Sequence, residues 1–249
     1  MKAVITDLDR TLLRNDKSVS PRTLNALRRC RERGIRVLAA SARPLRDLTR
    51  FDSAIGFDAM TATNGAVVSL PSGLFEAAIP PETGRQILSE LLRFPDLFLS
   101  IETDRGLYSN RDIPEWKPVV YDRFPELPEG VALYKILVSS PRREVYEGIA
   151  SVLTDDVYHT VANAELLQIM SRDATKWNGV KRMLEYCGID PRDAVYFGDD
   201  NDDLEPIRRC GTGVAVTNAI PSVLAAADLV TASNEEDGVA RFLEEHVLL

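Results

Sequence analysis

Asp7, Asp9 and Thr11 follow directly on the apolar run Lys2-Ala3-Val4-Ile5-Thr6, so two carboxylates and a hydroxyl stand at what reads as the carboxyl end of a strand. Open α/β sheets bind their ligands at that position. A strand sends residues i and i+2 to one side, and past the sheet edge both acids can converge on one point. At ~4 Å and an effective dielectric of ~20, two such charges repel by about 4 kcal/mol, which a divalent cation or a shared proton relieves. An acid-rich turn after a buried strand accounts equally well for an isolated Asp-x-Asp, so the pair gains meaning only from its company.

That company consists of three further segments. Ser41-Ala42-Arg43 follows a second apolar run, where a hydroxyl and the N–H groups of a helix start can hold a phosphate, or where Ser41 simply caps the helix. Lys176 opens a later helix, and taken alone it is an ordinary helix lysine. Gly198-Asp199-Asp200-Asn201-Asp202-Asp203 follows the run Ala194–Phe197 and adds four carboxylates to the same sheet edge. Acids stacked at one edge are not explained as a solvated surface.

The elements that must position these residues alternate between strand and helix. Ser20 and Pro21 open a helix that Gly34 closes, and Ile35 to Ala40 reads as a strand buried on both faces. A helix from Pro44 to Phe51, a strand from Phe57 to Thr63, the turn Asn64-Gly65 and a hairpin over 66–79 follow. Residues 81–162 then change character: helix 82–93, strands 97–102 and 106–109, a proline-rich connection, strand 131–139, helix 142–153 and a last strand. The alternation resumes with helix 176–186, strand 194–197, helix 203–209, strand 213–216, helix 220–226, strand 228–231 and helix 235–245. The expected architecture is an α/β, doubly wound, Rossmann-like parallel sheet built from 1–80 and 163–249, carrying an inserted α+β cap over 81–162.

A chain of 249 residues, 45% hydrophobic and 27% charged, is globular and long enough for two unequal domains. Its net charge of -8 argues against nucleic acid, whose binders need a basic face. The basic cluster from Arg28 to Arg33 reads as a solvated helix face. Cys30, Cys187 and Cys210 form no Cys-x-x-Cys, which points to buried thiols in a reducing compartment. No apolar run approaches ~18 residues and Asp7 interrupts any leader core, so the expectation is a soluble, cytoplasmic protein without membrane partners. The oligomeric state is not legible.

Taken in order, Asp7-Leu8-Asp9-Arg10-Thr11, Ser41, Lys176 and Gly198-Asp199 through Asp203 resemble the four motifs of the haloacid dehalogenase (HAD) superfamily. The insert and the turn Asn64-Gly65-Ala66 resemble its Cof-type phosphatases with a type IIB cap, and the resemblance spans essentially the whole chain. It implies a Mg²⁺-dependent hydrolase of a small phosphorylated metabolite, with sugar phosphates foremost. Asp7 would be the nucleophile that forms an aspartyl-phosphate and a metal ligand. Asp9 would be the acid/base, adding its main-chain carbonyl to the metal. Asp199 would complete the metal's protein ligands, and Asp203 would orient it or a bound water. Thr11, Ser41, Ala42, Arg43, Lys176 and Asp202 would bind substrate, although Thr11 can equally be a turn hydroxyl. Magnesium suits oxygen-only donors, and Mg²⁺ with the Lys176 ammonium would cancel the repulsion between a carboxylate and a phosphate dianion.

The chain departs from the family pattern at three places. Asp202 stands where the family carries Asn, Pro206 where it carries Met, and Thr217 where it often has Gly. Asp202 therefore turns away, pairs with Lys176 or Arg43, or yields its task to Asn201. The expectation is weakened phosphate binding with intact chemistry. The cap should close over the crevice, with Glu102, Tyr108, Trp116 and Lys135 as possible substrate contacts. Two other functions fit the motifs. A phosphosugar mutase needs a second phosphate clamp, which Arg105, Arg111, Arg123, Arg142 and Arg143 do not obviously form, and the other is a non-catalytic phosphometabolite binder.

Overall fold

A computed structural model describes the chain except residues 95, 115–116, 122–129, 141–142 and 163–165. Trp116, Arg123 and Arg142 lie outside the described residues. The chain forms two compact units, Met1–Glu76 with Thr175–Leu249, and Ala77–Ala174. In the first, β1 (Ala3–Thr6), α1 (Pro21–Glu32), β2 (Arg36–Ala40), α2 (Leu45–Ile55), β3 (Ala59–Ala62), β4 (Val67–Leu70) and β5 (Gly73–Glu76) precede the insert. The insert holds α3 (Pro81–Leu91), β6 (Phe98–Thr103), β7 (Gly106–Ser109), β8 (Val119–Val120), β9 (Leu133–Ser139), α4 (Arg143–Val152), β10 (Val157–Ala162) and β11 (Leu166–Ser171). The chain then returns through α5 (Lys176–Tyr186), β12 (Ala194–Gly198), α6 (Leu204–Arg209), β13 (Thr212–Val216), α7 (Pro221–Ala226), β14 (Leu229–Thr231) and α8 (Gly238–His246).

The first unit's sheet runs β14-β13-β12-β1-β2-β3-β4-β5, parallel from β14 to β3, with β4 and β5 added antiparallel. From β1 the chain moves to one side through β2 and β3, and after the insert it resumes at β12 on the other side. The order therefore reverses between β1 and β12, the point at which such sheets open a crevice at their carboxyl ends. Thr6 pairs with Phe197, so Asp7 and the Gly198-Asp199 segment leave the sheet side by side.

Burial on both faces explains the unbroken apolar runs of these strands. On one face Ile5, Leu38 and Tyr196 pack with Trp177, Val180 and Met183 of α5. On the other, the Phe197 ring meets Phe242 of α8 edge-on at 5.2 Å, and α1 packs beside α8. Each such side chain taken fully from water contributes about 1.5–3 kcal/mol. The insert is a second core of its own. Its sheet runs β10-β11-β9-β6-β7-β8, antiparallel except for the β7–β8 pair, and Ile87, Leu91, Val145 and Ile149 of α3 and α4 cover Leu99, Ile101, Ile136 and Ile169.

Four sequence expectations are corrected. The insert spans 77–174 and not 81–162, because β11 pairs between β9 and β10 and Ile79 bridges Leu133. The segment Leu166–Ser171 carries one β-branched residue and runs almost directly into a helix, so it lacks the usual strand signature. Helix α2 continues to Ile55 and stops at Gly56 in the left-handed region. Its N-cap is Pro44, so Ser41 does not cap it. Helix α8 starts at Gly238, because a 3₁₀ turn over Asn234–Glu236 and Asp237 at φ 57° interrupt the expected helix.

The turn after β3 has a consequence for stability. Gly65 takes φ 99°, and a Cβ there would lie 2.0 Å from the Thr175 carbonyl oxygen at the start of α5. Neither partner is a flexible side-chain end. Gly65→Ala should therefore lower unfolding free energy by about 2–4 kcal/mol in urea titration; an unchanged midpoint would contradict the close approach.

Candidate active site

Lys176 is the first residue of α5, whose N-cap Thr175 accepts the Asn178 N–H through its hydroxyl. A cation at a helix N-terminus opposes the macrodipole, so its charge has to be satisfied elsewhere. Its ammonium donates to Asp7 Oδ1 at 2.8 Å and to Asp203 Oδ1 at 2.7 Å, with all three side chains buried. Burial acts to lower the Lys176 pKa, but Asp203 and Asp7 outweigh it and hold the value well above that of a free lysine. Asp7 moves up: burial is the main cause, Lys176 opposes it, and Asp203 and Asp199 add to it.

Asp203 is the organiser of this cluster. Its Oδ1 also accepts the buried Tyr196 hydroxyl at 2.6 Å, and its Oδ2 accepts the N–H groups of Asp199 at 2.9 Å and Asp200 at 3.1 Å. Four donors fill the acceptor sites of a carboxylate. Gly198 is required here because a Cβ would lie 2.4 Å from that of Asp203.

Asp199 emerges from β12 beside Asp7. Its Oδ1 accepts the Thr11 hydroxyl at 2.7 Å, and its Oδ2 lies 3.8 Å from Arg10 Nε. Carboxylate oxygens of Asp7, Asp199 and Asp203 all fall within 4.8 Å of one another. When ionised, the three buried carboxylates against the one buried ammonium leave an excess of two negative charges, which the exposed Arg10, 3.8 Å from Asp199, offsets only from the rim. A hard divalent cation held by oxygen donors matches that excess. With Asp203 committed to four donors, Asp7 and Asp199 are the side chains left to hold it.

Burial raises the Asp199 pKa to about 6, with Asp203 adding to the shift and Thr11 and the nearby cations opposing it. A folded-state value above the unfolded one means that the folded protein binds more protons, so Asp199 makes metal-free stability fall as pH rises from about 4 to about 6. Asp199→Asn keeps an oxygen for Thr11 and removes the charge. Its metal-free form should be more stable than wild type by on the order of 1–2 kcal/mol at pH 7, with the gap closing below about pH 4. Thermal melts in chelator across that range check it, and a variant less stable at pH 7 would contradict it.

Asp9 stands apart from this cluster. Its carboxylate takes Arg43 Nε at 2.5 Å, Arg43 Nη2 at 2.7 Å and Lys17 Nζ at 2.8 Å. Burial works against its ionisation, yet Arg43 and Lys17 hold its pKa below the ordinary value. Ser41 is buried, its Oγ accepts the Arg43 N–H at 3.2 Å, and exposed Ala42 lies between them. Asp202 accepts from the Asn64 side-chain amide on the turn after β3.

The structure thus gathers Asp7, Thr11, Lys176, Asp199 and Asp203 into one hydrogen-bonded cluster, with Asp9 and Arg43 paired beside Ser41 and Asp202 tied to Asn64. Sequence reasoning missed Tyr196, Arg10, Lys17 and Asn64. A phenol inside the apolar run of β12 was the available signal for Tyr196, because a buried hydroxyl needs a partner. Arg10 and Asn64 lay inside the motif and the turn that the sequence singled out, but nothing there marked their contacts with Asp199 and Asp202, or marked Lys17 at all. Among the described residues no helix is long and apolar enough to cross a membrane.

Comparison with known proteins agrees with the geometry. Residues 4–243 match the family model for haloacid dehalogenase-like hydrolases. YxeH of Bacillus subtilis, a candidate phosphatase, is 29% identical over 270 residues, covering 99% of this chain and 98% of that protein. The 5-amino-6-(5-phospho-D-ribitylamino)uracil phosphatase YitU of the same organism is 28% identical, covering 99% and 97%. The solved structure of a haloacid dehalogenase-like hydrolase from B. subtilis superimposes with a TM-score of 0.86 at 25% identity over all of both chains. The chain belongs to the haloacid dehalogenase-like hydrolase family and is an enzyme of its phosphatase type.

Proposed function

We propose that the protein is a magnesium-dependent phosphomonoesterase that works through an aspartyl-phosphate on Asp7, with sugar or sugar-alcohol phosphates as its first substrate class. The carrying observation is the buried excess of negative charge around Asp7 and Asp199, set against a single buried ammonium with the exposed Arg10 at its rim. YitU, named for a phosphorylated ribityl compound, supports the substrate class. Asp7 and Asp199 would hold Mg²⁺ through their side chains and Asp9 through its main-chain carbonyl. Bound there, the ion supplies charge neutralisation between nucleophile and phosphate.

The chain's own residues account for the rest. A carboxylate oxygen of Asp7 attacks phosphorus, the bond from phosphorus to the substrate oxygen breaks, and the leaving alkoxide takes its proton from Asp9. Water then attacks phosphorus, gives its proton to Asp9, and releases phosphate and the free Asp7 carboxylate. Lys176 keeps Asp7 oriented and offsets charge on the transferring group. Pairing with Arg43 and Lys17 favours the ionised Asp9 needed in the second half. Proton donation in the first half requires those cations to loosen, and an incoming phosphate offers Arg43 a competing anion.

Release of p-nitrophenol from p-nitrophenyl phosphate, present with Mg²⁺ and lost in chelator, tests the reading, followed by a panel of phosphate esters. Transfer between sugar positions without release of phosphate would contradict it, as would silence across the panel.

A further inference from the structure

The turn after β3 places Thr63, Asn64 and Gly65 successively at φ 50°, 56° and 99°. A β-branched residue at positive φ is a genuine outlier. Such residues persist only where their surroundings hold them. Here the Thr63 N–H donates to the Arg43 carbonyl at 2.8 Å and the Asn64 N–H to the Ser41 carbonyl at 3.1 Å, and both residues are buried. The strained turn is thus stitched to the loop that carries Ser41 and Arg43, and it delivers the Asn64 amide to the Asp202 carboxylate across 138 residues of sequence.

Asp202 adds a further anion to an edge proposed to receive a phosphate dianion, and such an anion repels it unless held aside. Asp202 is the immediate chain neighbour of Asp203, whose carboxylate holds the Lys176 ammonium. Resting on the phosphatase reading above, we infer that Asn64 is a positioning residue for phosphate binding: its amide, aimed by the strained turn, pins the Asp202 carboxylate so that this acid does not oppose the substrate. The contact gives Asp202 a fixed partner, and it assigns a task to a strained segment that the chemistry itself does not use.

A double-mutant cycle tests this, reading the affinity of inorganic phosphate by calorimetry with Mg²⁺ present, and KM and kcat for p-nitrophenyl phosphate. Asn64→Ala should weaken phosphate and raise KM about five- to twentyfold with kcat changed less than about threefold. Asn64→Asp should weaken phosphate further, by facing two carboxylates. The swap Asn64→Asp with Asp202→Asn restores an amide–carboxylate pair and should return both constants to within about threefold of wild type. With Asp202→Asn in place, Asn64→Ala should change either constant less than about twofold. Failure of the swap to rescue, or equal losses from Asn64→Ala in both backgrounds, overturns the inference. The swap keeps it open to refutation even if Asn64→Ala fails to fold. An additive cycle with wild-type turnover intact sinks this inference alone, whereas a coupled phosphate-affinity cycle without turnover sinks the phosphatase reading alone.

Discussion

Asp7→Asn should abolish phosphate ester hydrolysis, with kcat down by on the order of 10⁴-fold or more, while the protein stays folded. The amide is nearly isosteric and still offers an oxygen to the Lys176 ammonium that now sits 2.8 Å from Asp7 Oδ1. What it loses is the negative oxygen that attacks phosphorus. Because burial, Asp203 and Asp199 already push the Asp7 pKa up, removing this charge should leave the metal-free melting temperature at or above that of wild type. Steady-state kinetics with thermal melts on the same sample separate chemistry from folding. Residual activity within tenfold of wild type would place the nucleophile elsewhere, and loss of activity together with loss of fold would leave Asp7 a structural residue.

Lys176→Met should combine two large losses. The ammonium is the only cation within hydrogen-bonding distance of buried Asp7 and Asp203 among the described contacts. Removing one partner of a buried ion pair leaves uncompensated charge and costs about 3–5 kcal/mol. Transition-state stabilisation lost with it should lower kcat/KM by about 10²–10³-fold. The stability loss should shrink as pH falls, because Asp7, whose folded value is raised, then takes up the proton that neutralises it. Urea denaturation at pH 7 and pH 5 reads this directly. A destabilisation independent of pH would mean that packing and not charge is what Lys176 supplies.

The acids of the site were legible because each lies at the end of an apolar run, and a parallel sheet brings such ends to one edge. Asp7 and Asp199 meet because β1 and β12 are neighbours in register, a pairing that follows from a chain that leaves a sheet and returns on the other side of its first strand. What the sequence could not show was the division of labour among identical residue types. Composition and spacing alone do not separate Asp203 from Asp199, and only the family resemblance gave them different tasks; the capping turn over Asn201–Asp203 aims the Asp203 carboxylate at backbone N–H groups and at Lys176. Arg43 read as a phosphate ligand, but it is bonded to Asp9. Both distinctions depend on rotamer and on contacts between residues far apart in the chain, to which local pattern is blind. The misplaced insert boundary has a similar origin: β11 is defined by its partners β9 and β10 more than by its own composition.

The most direct test of the central claim uses Asp9→Asn with p-nitrophenyl phosphate, whose leaving group needs no proton, quenched in acid after mixing with Mg²⁺. Phosphoryl transfer to Asp7 should then outrun its hydrolysis, and mass spectrometry of the digest should find a phosphoryl adduct on the peptide carrying Asp7, absent when Asp7 is also Asn. Release of p-nitrophenol by Asp9→Asn at a sustained rate, with no adduct on that peptide at any quench time, would contradict the aspartyl-phosphate and with it the role of the buried acid cluster.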